Sequence, residues 1–201
     1  LKDYHNTVNA IGKAGDLANK DAMLISLKAE SYWHLQQPDA AISALNDGQR
    51  AFPSDFRFLK RKVFYLVELG LYQEAVQLGR DFLRRSKASA ADYVAFGNAL
   101  RLSGEFQEAI NILEIARLQY PDDELVAKLL AHTYLDQGQL NSAAFILEQA
   151  ALLNPALQSE AAEIYRRAGR LHKALTLNES ILDQKVKLKQ RLSILLALKQ
   201  F

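Results

Sequence analysis

The sequence predicts an all-α fold built as an array of stacked helical hairpins, and three observations support it. Composition favours helix over strand: only 4 prolines and 9 glycines occur in 201 residues, and the good helix formers Leu, Ala, Gln, Glu and Lys dominate. Apolar residues recur at helical spacing, as in Leu100, Leu102, Phe106, Ala109, Ile110, Ile112, Leu113 and Ala116. A glycine or polar break interrupts them about every 15 to 20 residues, so the helices are short and paired. The third observation is a period. Gly104, Phe106, Ala109, Leu113, Ala116 and Pro121 return 34 positions later as Gly138, Leu140, Ala143, Leu147, Ala150 and Pro155. Repetition at this length marks helix pairs that bury their apolar faces on one another.

The elements follow in order from that register. Moving back by 34 from Gly104 reaches Gly70 and then Gln36, all in turns between paired helices. The next column reads Tyr4, Pro38, Tyr72, Phe106 and Leu140, and the one after it Thr7, Ala41, Ala75, Ala109 and Ala143. Residues 1–20 fall in these columns as the second helix, helix B, of a repeat without its first. Full repeats are expected at 22–55, 56–89, 90–123 and 124–157. A compressed unit is expected at 158–184, where the turn spacing shortens between Gly138 and Gly169, and residues 185–201 read as the first helix, helix A, of a further unit, with Phe201 in the place of Phe106. Neither end carries the polar face that closes a solenoid. The expectation is therefore a single array, 1–201, cut from a longer one and open to end-to-end self-association through its truncated termini.

Each recurring residue type has a mechanical reason. Small residues on helix A (Ala29, Gly97, Ala131) and on helix B (Ala41, Ala75, Ala109, Ala143) let backbones approach closely. Pro53, Pro121 and Pro155 end helix B, and Ser54 or the pair Asp122 and Asp123 can cap the helix that follows. Pro38 fits the first turn of its helix.

The run Tyr93, Phe96, Gly97, Leu100, Gly104, Phe106, Ala109, Leu113, Ala116, Pro121 resembles the tetratricopeptide repeat, and the resemblance covers nearly the whole chain. It implies a right-handed superhelical solenoid of antiparallel helix pairs whose concave face, made chiefly by helix A, binds a protein or an extended peptide. On that register the concave residues are Trp33, Arg57, Lys60, Phe64, Asn98, Arg101, Lys128, His132, Leu135 and Arg166, a mixed groove that tilts basic. Rings beside cations suit an extended peptide. Trp33 and Phe64 can instead be interhelical core; the two readings balance for Trp33, and Phe64 leans to the groove. Some members of the family clamp a C-terminal carboxylate with Lys and Asn side chains on successive A helices. Here Lys60 is followed by Phe64, Ala95 and Leu129 at the later polar positions, which argues against a chaperone-tail receptor.

Motifs for chemistry are sparse. Cysteine is absent, so disulfides and thiolate chemistry are excluded, and either a reducing bacterial cytoplasm or an oxidising periplasm fits. His5, His34, His132 and His172 lie in different repeats without metal-ligand spacing. Gly12 to Gly15 lacks the spacing and the strand of a phosphate loop. The carboxylates at Asp122 to Glu124 sit where a helix starts and read as caps. Asn178-Glu179-Ser180 is a glycosylation triplet inside a helix, and Lys185 to Arg191 reads as a solvated face.

No catalytic residue, metal, cofactor or small-molecule substrate is assigned, so the chain is expected to be a non-enzymatic scaffold, such as the repeat region of a larger bacterial assembly or secretion protein. A third reading is an accessory module to a catalytic domain elsewhere in the chain, in which case this segment still binds and does not react. The alternative is a helical-repeat RNA-binding module. Lys+Arg at 25 against Asp+Glu at 23 disfavours nucleic acid. The apolar run Ile194 to Leu198 is too short for membrane insertion.

Overall fold

In a computed structural model, which describes residues 3–85 and 87–199, the chain is all-helical. Phe201, expected to take the place of Phe106, lies outside the described residues. The α-helices are α1 (Tyr4–Ala14), α2 (Ala22–His34), α3 (Pro38–Ala51), α4 (Arg57–Glu68), α5 (Tyr72–Arg85), α6 (Ala90–Leu102), α7 (Phe106–Gln119), α8 (Glu124–Asp136), α9 (Leu140–Ala151), α10 (Gln158–Arg167), α11 (Leu171–Glu179) and α12 (Gln184–Lys199). Gly15–Lys20 and Pro155–Leu157 form 3-10 turns. The chain divides into two compact units, residues 1–87 and 88–201.

Caps and turns set where each helix begins and ends. Asp21 accepts hydrogen bonds from Met23 N and Leu24 N at the start of α2, and Asp123 accepts one from Val126 N at the start of α8. Ser89 and Asp92 form a reciprocal capping box on α6, which satisfies amide donors that have no partner within the helix. Pro38 opens α3. At α4 the expectation of a Ser54 cap fails: Phe56 holds the cap position without a side-chain bond, and Asp55 accepts from Arg57 N instead.

The turns inside the hairpins share one geometry. Gly70, Gly104, Gly138 and Gly169 have φ of 75, 85, 73 and 72°, and Gln36 adopts the same left-handed conformation at φ 59°. Around Gly104, the Gly104 amide donates to Arg101 O and the Glu105 amide to Leu100 O; around Gln36, the amides of Gln36 and Gln37 donate to Trp33 O and Tyr32 O. These bonds close the last turn of each preceding helix.

Packing rests on small side chains. Ala41, Ala75, Ala109 and Ala143 are all fully buried, as are Ala29 and Ala131. A Cβ built on Gly97 would lie 2.8 Å from Leu113 Cδ2, so α6 and α7 meet there at closer range than a side chain allows. Gly48 is a second such contact that the repeat register did not single out. Its missing Cβ would fall in the ring of Phe58, which joins α3 to α4. In the first unit Ile25, Ala44, Leu45, Phe58 and Tyr65 form the core with Ala29 and Ala41. In the second unit a continuous cluster runs from Ile110 and Leu113 through Leu130, Leu147 and Tyr165 to Ile194 on α12.

A polar network holds α12 in place. Asn178 is fully buried, and its Nδ2 donates to Lys187 O and Gln190 Oε1. Gln190 Nε2 in turn donates to Ser159 O on α10 at 2.8 Å. The glycosylation triplet therefore has its asparagine inside the protein, its amide already engaged.

Candidate functional site

Each unit presents a cleft made mainly by the first helices of its hairpins. In the first unit a cleft of about 880 Å³ lies between α2 and α4, lined by Met23, Leu24, Leu27, Arg57, Lys60 and Phe64, with Asp21, Ser26, Glu30, Leu45 and Arg61 completing it. Met23 is 73% exposed and Phe64 49%, so this wall shows water a large apolar area. Successive turns of α2 supply Met23 and Leu27 at a spacing of four, which puts both on one face.

The cations here already have neighbours. Arg57 holds Asp55 at 2.6 Å, which drives the Asp55 carboxyl below and the Arg57 guanidinium above their ordinary ranges, chiefly through that hydrogen bond. Arg61 lies 3.8 Å from Glu30. Lys60 Nζ sits 5.2 Å from the ring centre of Phe82 on α5. Trp33 resolves toward interhelical packing: its ring stacks on Tyr65 of α4 at 4.0 Å and 4°. Tyr65 is itself buried, and burial raises its hydroxyl pKa.

In the second unit α8, α10 and α12 line a cleft of about 700 Å³ that includes His132, Leu135, Glu160, Glu163, Arg166 and Lys189. Of the residues expected from sequence, His132, Leu135 and Arg166 line this cleft, while Asn98, Arg101 and Lys128 lie outside its lining; the charged ones stand beside carboxylates that the register did not bring forward. Arg101 donates to Asp136 at 2.7 Å and to Asn98 Oδ1 at 3.1 Å, which ties α6 to α8. Lys128 pairs with Glu124, which raises the lysine pKa and lowers the glutamate pKa, and Glu124 also accepts from Asn154. His132 Nε2 lies 3.4 Å from Glu160. Arg166 holds Glu163 at 2.6 Å, and this bond lowers the Glu163 pKa. Leu135 packs against the core cluster.

The expectation of a basic tilt is thus modified by geometry. Helical spacing of three or four places a carboxylate beside Lys128 and Arg166, and neighbouring helices supply Asp136 and Glu160. These acids were visible as letters, but only the packing of α6, α8 and α10 shows that Asp136 stands beside Arg101 and Glu160 beside His132. Most of the ionisable groups lining the two clefts are engaged in ion pairs. Among the described residues, no group of three or more His, Asp or Glu side chains could hold a metal ion. No helix among them is long and apolar enough to cross a membrane.

The comparisons with known proteins agree with this architecture. A family model described as tetratricopeptide repeat matches residues 27–91 and 94–156, and the chain belongs to that family, whose repeats generally act as non-catalytic scaffolds for protein interaction. No curated protein matches the sequence. Among solved structures, a thermophilic tetratricopeptide repeat protein of Thermus thermophilus is 23% identical with a TM-score of 0.57, covering 89% of this chain and 99% of its own. MamA (residue 41 to the end) from Desulfovibrio magneticus RS-1 is 20% identical with a TM-score of 0.67, covering 82% and 94%. YrrB, described as a tetratricopeptide repeat protein with an unusual peptide-binding site, is 16% identical with a TM-score of 0.66, covering 90% and 97%. At these identities the likeness is one of fold.

Proposed function

We propose that this chain is a non-catalytic scaffold within a larger bacterial assembly, holding a partner protein through an extended segment laid against the first helices of its hairpins. The observation that carries the reading is the cleft between α2 and α4, where Met23, Leu27 and Phe64 offer exposed apolar surface rimmed by Arg57, Lys60 and Arg61. Covering such a surface gains about 25 cal/mol for each Å² of apolar area removed from water, and an aromatic anchor contributes about 2 kcal/mol or more. The rim cations then set register, exchanging an internal carboxylate for one on the ligand. The peptide-binding site named for YrrB supports the class of ligand.

The test pans a random peptide library on the wild-type protein and measures the selected peptides on Phe64→Ala. Peptides should bind the variant roughly 10-fold or more weakly through faster dissociation, with helical circular dichroism unchanged. Lys60→Glu should mainly slow association at low salt. Selected peptides that bind Phe64→Ala with undiminished affinity would move the site off this cleft.

A further inference from the structure

The second helices of the hairpins in the second unit hold a surface that neither cleft uses. α7 and α9 are interior helices of that unit: α6 and α8 pack on α7, and α8 and α10 on α9. Every residue that α7 and α9 expose is uncharged. On α7 the exposed Asn111, Ile115 and Leu118 are followed 34 residues later by Phe145 and Gln149 on α9 and Leu152 at its C-cap. At about 100° per residue each set of three falls within an arc of about 60°, so each helix turns one stripe outward. The apolar members are bare, with Ile115, Leu118, Phe145 and Leu152 at 47, 78, 48 and 77% exposure. The charged residues of the two helices, Glu108, Glu114, Arg117 and Glu148, are all partly buried. Those bordering the stripes are paired, Glu114 with Arg117 at 3.1 Å and Glu148 with Lys173 at 2.9 Å. Charge returns on α11, which exposes His172, Lys173 and Glu179.

From this arrangement we infer that the outward face of α7 and α9 joins two copies of this chain in a symmetric dimer. Exposed apolar side chains rimmed by polar ones mark an interaction surface, and here the neutrality of the surface selects the occupant. In a two-fold interface a patch meets itself, so any net charge on it would be set against the same charge on the other copy. Charged residues make up 24% of the chain, yet this face displays none. Its polar members are amides, which both donate and accept, so Asn111 and Gln149 can bond to amides of the second copy. A net charge of +2 adds little repulsion between whole molecules. Two helices about 20 Å long bury an area at the small end of specific interfaces, so monomer and dimer should exchange with a Kd of roughly 10–100 μM. This surface is separate from the clefts assigned above, and its failure would leave that reading untouched.

The test is sedimentation equilibrium of the whole chain at loading concentrations from about 5 to 500 μM, a range that brackets the expected Kd. The average mass should rise from 22.6 kDa towards twice that value and stop there, because a two-fold contact closes at two copies. Phe145→Glu places one carboxylate from each copy in the contact and should weaken the dimer by about 10-fold or more. Leu118→Glu supplies an independent second variant. Both positions are exposed, so helical circular dichroism should not change. Raising sodium chloride from about 50 to 500 mM should shift the dimer constant by less than about 3-fold, since no ion pair crosses the contact. A chain that stays monomeric over the whole range overturns the inference, as does a dimer indifferent to both substitutions, growth beyond two copies, or steep loss of association with salt. Phe145-dependent binding of phosphatidylcholine vesicles, or of a peptide selected by panning, by a chain that stays monomeric also overturns it, assigning the face to a membrane surface or to a different protein.

Discussion

Gln36→Gly should stabilise the protein. Gln36 stands in the turn position that Gly70, Gly104 and Gly138 fill in the other hairpins, and it holds a φ of 59°. An L-residue with a side chain pays roughly 1–2 kcal/mol for that conformation, while glycine loses about 0.5–1 kcal/mol more freedom on leaving the unfolded state. The difference predicts a gain of about 0.5–1 kcal/mol. The reverse change, Gly104→Gln, should lose a similar amount. A Cβ at Gly104 would meet nothing within 4 Å, so the loss there would come from the backbone alone. Urea unfolding followed by circular dichroism at 222 nm measures both. A lowered midpoint for Gln36→Gly, or a Gly104→Gln variant as stable as wild type, would show that the left-handed turn geometry does not govern hairpin stability.

Three other perturbations test the packing and the charges. Gly97→Leu should destabilise by roughly 1–3 kcal/mol as its side chain meets Leu113, whereas Gln107→Ala, on an exposed position, should stay within about 0.5 kcal/mol of wild type in the same melts. Gln190→Ala removes the bonds to Asn178 and Ser159 and should cost about 1–3 kcal/mol, with hydrogen exchange rising first in α12. For pH, the folded-state Glu163 pKa lies below its unfolded value because Arg166 bonds to the carboxylate. The stability it contributes is therefore present above the ordinary glutamate range and lost as pH falls through the depressed folded value. Glu163→Gln should flatten that acid limb slightly, by less than about 1 kcal/mol for a pair this exposed, while leaving neutral stability lower.

What the sequence made legible was whatever the 34-residue period repeats. The alanine columns at 41, 75, 109 and 143 are buried to completion, and the glycine column turns left-handed, because both follow from local chemistry repeated in register. Gly48 escaped notice because its role depends on one non-repeated neighbour, Phe58. Trp33 stayed ambiguous for a similar reason, since only the position of Tyr65 decides which face of α2 the indole uses. The carboxylates beside Arg101 and His132 could be read in the sequence but not placed, as both come from a different helix. Asn178 shows the limit most plainly. A triplet that suggests a surface modification is, once folded, an internal hydrogen-bond donor.

The stack of Trp33 on Tyr65 also makes the protein its own optical probe. Trp33 is the single tryptophan in the chain, and it lies where α2 meets α4. Its emission therefore reports the separation of those two helices, both of which belong to the first unit. Circular dichroism, in contrast, sums over all the helices. If the two compact units lose structure at different denaturant concentrations, the emission change and the ellipticity change will trace different curves. The gap between them gives the stability of one unit relative to the other without a label, a truncation or a known partner.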